Sequence, residues 1–216
     1  MDFNALTKKM MPHFAEIRAE IALLKQKHPG VYGHELSKIY RRQVTRKYTS
    51  VGVVSALPGV IPGLGTVAQV AIEAGAISAD VLLMLRWMAS LCYGTGLIYG
   101  QDTEDDFDDR FTVVLGLWSG VVLPEKAGIT LGERITVKHF DQHITDRIRN
   151  RMNQKIGRKL VTKYGAKRGG VALGTLVPFG IGAAVGGTFN YTTMSRFGKA
   201  AEEYFRDENI NYFVEE

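Results

Sequence analysis

Two long stretches of this chain carry no charge, and each is broken by glycine and proline. Residues 48–72 contain Leu57-Pro58-Gly59 and Ile61-Pro62-Gly63-Leu64-Gly65. A straight helix of that length would reach roughly 37 Å, enough to cross a bilayer. Proline removes a backbone donor and collides with the preceding turn, so Pro58 and Pro62 forbid a straight helix through the middle. With Gly59, Gly63 and Gly65 they predict two short apolar arms joined by a turn. Residues 169–195 repeat the arrangement, with Pro178, Gly180 and Gly182 at the expected bend. Each arm holds about 10–12 residues, too few to span the hydrocarbon.

The rest of the chain reads as helix. Phe14, Ile17, Ile21 and Leu24 recur at three- and four-residue steps over 12–27, placing them on one face. Leu36, Ile39, Tyr40 and Val44 do the same in a following basic segment. Residues 80–99 form a third helical pattern, 111–123 an apolar segment closed by Pro124, and 192–206 a last helix. No alternation persists long enough for a sheet. The expected fold is all-α: a compact helical bundle with two Gly/Pro-rich apolar helical hairpins. Residues 1–47 would supply N-terminal amphipathic helices to a single unit continued by 48–206, with 207–216 as a tail. Gly-x-x-x-Gly pairs, among them Gly96/Gly100, Gly116/Gly120 and Gly182/Gly186, predict close helix–helix approach.

Composition excludes several classes. With 45% apolar and 23% charged residues the chain is not largely disordered. A mean hydropathy of −0.05 excludes a protein made mostly of lipid-spanning helices. One cysteine, Cys92, excludes an internal disulfide framework and fits a reducing compartment. The opening MDFNALTKKMMPHF has no apolar core of a secretory signal.

Charge is distributed unevenly. Net charge is +5, with a pI near 9.3. Arg41, Arg42, Arg46 and Lys47 lie just before the first uncharged run. Arg147, Arg149, Arg151, Lys155, Arg158, Lys159, Lys163, Lys167 and Arg168 precede the second, with no acid among them. Ile144, Ile148, Met152, Ile156 and Leu160 recur every four residues there, so this is a basic amphipathic helix. Such flanks fit a cytoplasmic anionic membrane face, with Tyr48, Trp87, Trp118 and Tyr191 as interface candidates. Nucleic acid fits poorly, because Tyr164 is the only aromatic in the basic run and no base-reading motif is present. Six acids fall within 102–109, a helix start or a partner-facing patch.

Chemistry-bearing motifs are few. His139 and His143 are four apart and share a helix face, a spacing that can hold a metal. The glutamate base of the metalloprotease pattern is missing, so they read first as surface histidines. Phe107 occupies the turn-glycine position of a calcium loop and Val113 its bidentate position, which excludes an EF-hand. No nucleophile elbow, phosphate loop or dinucleotide fingerprint is present. Cys92 lies in an apolar stripe and reads as inert packing. No cofactor is called for.

Ser55-Ala56-Leu57-Pro58-Gly59 through Gly63-Leu64-Gly65-Thr66, then Gly75, Ala79-Asp80 and Tyr99-Gly100, resembles the first half of the EcsC-like bacterial proteins. Leu176-Val177-Pro178-Phe179-Gly180-Ile181-Gly182-Ala183, with Gly186-Gly187, Asn190 and Phe197-Gly198, is similar to that family's glycine-rich second half. The resemblance covers roughly residues 48–206. It implies a helical, cytosolic or membrane-associated protein with no catalytic residues to carry over, and a membrane-linked accessory role. The expectation is a non-enzymatic protein that binds an anionic membrane surface through the basic amphipathic helix, with the two Gly-rich hairpins packed together or inserted. It would be peripheral or partly inserted at the cytoplasmic face. A metal-binding protein or hydrolase built on His139 and His143 is the first alternative. A soluble adaptor using the acidic segment 102–109 is the second. Oligomerisation is left open.

Overall fold

In the computed structural model, the residues described are 11–54, 79–124, 134–135, 151, 154–155, 179–206 and 212–214. Helix α1, Phe14–Lys27, buries Ile17, Ile21 and Leu24, the face its spacing predicts. Helix α2, Gly33–Val54, buries Leu36, Tyr40, Val44 and Tyr48 at four-residue steps. It continues past residue 48, so the loss of charge there is not an element boundary. Tyr48 is core rather than interface. Helix α3, Ala79–Ile98, buries Met84, Leu85, Met88, Leu91, Cys92 and Tyr93 and leaves Arg86, Trp87, Ser90 and Leu97 half-buried.

Helix α4, Phe107–Ser119, opens with Asp108 and Asp109 in its first turn, where carboxylates complement the helix dipole. Helix α5, Phe179–Arg206, begins well before the expected 192. Gly180 and Gly182, read from sequence as bend residues, lie within its first turns instead. The remaining expected bend residues, Pro58, Gly59, Pro62, Gly63, Gly65 and Pro178, lie outside the described residues.

Two of the Gly-x-x-x-Gly pairs have a different role from the one their spacing suggested. Gly100 N–H donates to Leu97 O and Gln101 N–H to Gly96 O. At the end of α4, Gly120 N–H donates to Leu117 O and Val121 N–H to Gly116 O. Both are Schellman closures, with the second glycine at φ 84° and 76°. The pairs therefore terminate α3 and α4. Gly96 also allows close approach, since a Cβ there would lie 3.2 Å from the Phe205 ring on α5, and two further glycines do the same. A Cβ on Gly94 would lie 2.4 Å from the Tyr40 ring, and one on Gly198 would lie 2.6 Å from Arg41 Cδ.

Helices α2, α3 and α5 pack on one another as a triangle. α4 packs against α5 and α3, so it occupies the other side of the α3–α5 layer from α2, and α1 lies on α3. Phe107 stacks on Phe111, which meets Phe197 edge-on at 6.0 Å, so aromatic rings join α4 to α5. Phe14 meets Tyr93 and Phe107 edge-on and ties α1 to the same row.

A small sheet, not foreseen from sequence, completes the described residues. Its antiparallel order is β1 (Val122–Pro124), β3 (Tyr212–Val214), β2 (Arg134–Ile135). The segment expected as a tail thus supplies the central strand. Strands of two and three residues leave no alternation to detect.

Candidate functional site

Helix α2 sorts its cations by face. Arg41 points inward, where Nη1 donates to Glu202 Oε2 at 2.8 Å, and its side chain is only 11% exposed. Lys47 Nζ reaches Glu20 on α1 at 2.5 Å. Arg42 and Arg46, one turn apart on the outward face, are exposed and have no ion pair among the described residues. Residues four apart on a helix are neighbours, so the two guanidinium groups form one patch.

Helix α5 extends that patch. Gly198 sits against Arg41 Cδ and Cγ, which fixes the level at which the two helices meet. At this level α5 exposes Arg196 and Lys199, again without an ion pair among the described residues. Sequence reasoning overlooked both, because they fall singly in a segment of mixed charge. Their partnership with α2 exists only in the folded chain.

The expected basic helix is described at few positions. Lys155 turns toward the bundle and donates to Gly120 O at 3.1 Å, placing a cation at the C-terminal end of α4. Arg151 is half-buried. Arg147, Arg149, Arg158, Lys159, Lys163, Lys167 and Arg168 lie outside the described residues, as do His139 and His143. Among the described residues no group of three or more acids, histidines or cysteines could hold a metal. Burial pushes the Cys92 thiol well above its ordinary range, so it is protonated and inert.

The folded chain also holds two polar nodes. In the first, the buried Glu202 carboxylate receives Arg41 on Oε2 and His34 Nδ1 on Oε1, with the Tyr99 hydroxyl 3.5 Å away. Burial and then the Glu202 charge hold the Tyr99 hydroxyl above its ordinary pKa. Three helices thus converge on one carboxylate, an arrangement that locks α2 and α3 to α5.

The second node lies in the α3–α4 connection. Arg18 on α1 grips Asp102 through Nε at 2.8 Å and also pairs with Glu104. Tyr93 donates to Asp102 at 2.7 Å. The Arg18 guanidinium, with the Tyr93 hydroxyl behind it, holds the Asp102 carboxyl below its ordinary pKa against the opposing effect of burial. Arg110 Nε holds Asp106 at 2.7 Å. Several of the six acids are therefore used inside the molecule, while Asp105 stands exposed.

No helix among the described residues is long and apolar enough to cross a membrane. Comparison with protein-family models, with curated proteins and with solved structures found no match.

Proposed function

We propose that this is a non-enzymatic helical protein that binds an anionic membrane surface peripherally, through basic side chains on its folded face. One observation carries the reading: Arg42 and Arg46 project outward with no ion pair among the described residues, while Arg41 and Lys47 beside them are neutralised internally. Cations held on one face without carboxylate partners are suited to an external anion. Near an anionic leaflet each Lys or Arg contributes about 1 kcal/mol. Arg42, Arg46, Arg196 and Lys199 together would give about 4 kcal/mol, a salt-sensitive and reversible association. In this reading the basic stretch 147–168 adds to the same attraction. The likeness to EcsC-like proteins supports a cytoplasmic-face location and a role accessory to a membrane transport or envelope system.

Vesicle flotation tests the reading. Wild-type protein is expected to float with phosphatidylserine-containing vesicles at low salt and to be released at high salt. Arg42→Glu/Arg46→Glu is expected to cut the floated fraction several-fold with the thermal midpoint unchanged, since neither side chain has an ion pair to lose among the described residues. Equal flotation of variant and wild type would remove this face from the mechanism.

A further inference from the structure

The described side chains are electrically divided across the α3–α5 layer. On one side α2 and the adjoining surface of α5 carry Arg42, Arg46, Arg196 and Lys199, with the half-buried Glu203 one turn from Lys199 as the acid among them. On the other, the α3–α4 connection and the start of α4 carry Asp102, Glu104, Asp105, Asp106, Asp108 and Asp109. Arg18 and Arg110 offset part of that acidity, and Lys38 on the basic side is itself paired with Glu35. Even so, among the described residues acids predominate at one side and cations without an ion pair at the other.

α2 and α4 sit at opposite corners of two triangles that share the α3–α5 edge, so at ordinary helix spacing roughly 14–17 Å separates their axes. The Debye length at physiological salt is about 8 Å. A charged surface touching α2 is therefore largely screened from the acids near α4, which do not cancel the attraction. If the molecule turned over, the same acids would meet the anionic surface at contact distance and be repelled. The two approaches are not equivalent, and complementarity selects one.

Resting on the proposed membrane reading, we infer that the bundle docks in a single orientation, with the outer faces of α2 and α5 against an anionic bilayer and the acidic α3–α4 connection turned to the aqueous side. The membrane-bound protein then presents Asp105 and the start of α4 to solution. α1 is an intermediate side, since its exposed Lys25 bonds the Leu97 carbonyl and its Arg18 is held by the acidic connection.

Covalent footprinting of the intact wild-type chain tests the orientation. Protein is mixed with phosphatidylcholine vesicles, with or without phosphatidylserine, after flotation has shown which vesicles bind it. Amines are acetylated and carboxyl groups coupled to glycine methyl ester by carbodiimide. Modified sites are then read by mass spectrometry. Acetylation of Lys199 is expected to fall several-fold on the phosphatidylserine vesicles alone, with coupling at Asp105 unchanged. Flotation with equal protection at both sites, or with protection at Asp105 only, overturns the orientation and leaves the membrane reading standing. Failure to float with either vesicle overturns both. As a second arm, Arg196→Glu/Lys199→Glu is expected to lower flotation without altering the circular dichroism spectrum. Undiminished flotation of that folded variant would overturn the assignment of the α5 face.

Discussion

The Glu202 and Asp102 nodes use the same chemistry, an arginine and a tyrosine on a carboxylate, in opposite surroundings. The side chains of Arg41 and Glu202 are 11% and 6% exposed. Those of Arg18 and Asp102 are 40% and 48% exposed. In water an unpaired charge is solvated at little cost, whereas a buried one has no substitute for its partner. The first node is thus a structural commitment joining α5 to α2 and α3. The second is a surface clasp that fastens the α3–α4 connection to α1. Contact lists alone make the two equivalent; burial separates them.

Breaking the buried pair should give the largest effect. Arg41→Ala strands the Glu202 carboxylate with only His34 and Tyr99 nearby, at an expected cost of about 3–5 kcal/mol. For a chain of this size that lowers the thermal midpoint by roughly 10 °C. The test is a double variant, Arg41→Leu/Glu202→Leu, measured by thermal melting beside each single change. Removing both charges should restore most of the lost stability, because neither partner is left buried alone. A double variant as unstable as Arg41→Ala would mean that packing around the arginine stem, rather than the stranded charge, sets the cost.

A smaller perturbation sharpens the same point without deleting a charge. Gly198→Ala would place a Cβ 2.6 Å from Arg41 Cδ, 2.8 Å from its Cγ and 3.0 Å from Leu91 Cδ2. The arginine stem must shift, loosening its hold on Glu202, for an expected loss of about 1–3 kcal/mol. Because the two sites touch, their effects should not add. In the Arg41→Ala background the added cost of Gly198→Ala should shrink to that of the Leu91 contact. Strict additivity in denaturant unfolding would show that Gly198 acts independently of the node.

These sites also show what the sequence made legible. Helix faces were readable because burial repeats at helical spacing, as in Ile17, Ile21 and Leu24. The acidic run announced the start of α4 through the dipole preference of Asp108 and Asp109. Glycine spacing was ambiguous: Gly96/Gly100 has the interval of a packing pair and also that of a Schellman closure. The left-handed φ at Gly100 marks the closure, while Gly96 also lies against the Phe205 ring of α5. The small sheet was invisible because its strands are shorter than any period. The sorting of α2 cations could not be read either, since Arg41 and Arg42 are adjacent and equivalent in sequence. Which one meets Glu202, distant along the chain, depends on how α5 lies across α2. The same dependence concealed Arg196 and Lys199.

The smallest effect belongs to the exposed clasp, and its pH dependence distinguishes it. Arg18 lowers the Asp102 pKa in the folded state, so the pair's stabilisation is complete above aspartate's ordinary range. Below that range the unfolded chain binds the proton first, and the stabilisation is lost as pH falls through the folded-state value. Asp102→Asn deletes the charge at every pH. The stability difference between wild type and variant should therefore be small at neutral pH and vanish on acidification. It should also diminish in high salt, because an exposed pair is screened. Denaturant unfolding at neutral pH and below about pH 3, each at two salt concentrations, would follow both trends. A difference that persists in acid would assign the effect to the neutral Tyr93–Asp102 hydrogen bond. The clasp would then hold by the same kind of buried polar contact that joins α5 to α2, and the contrast between the two nodes would fail.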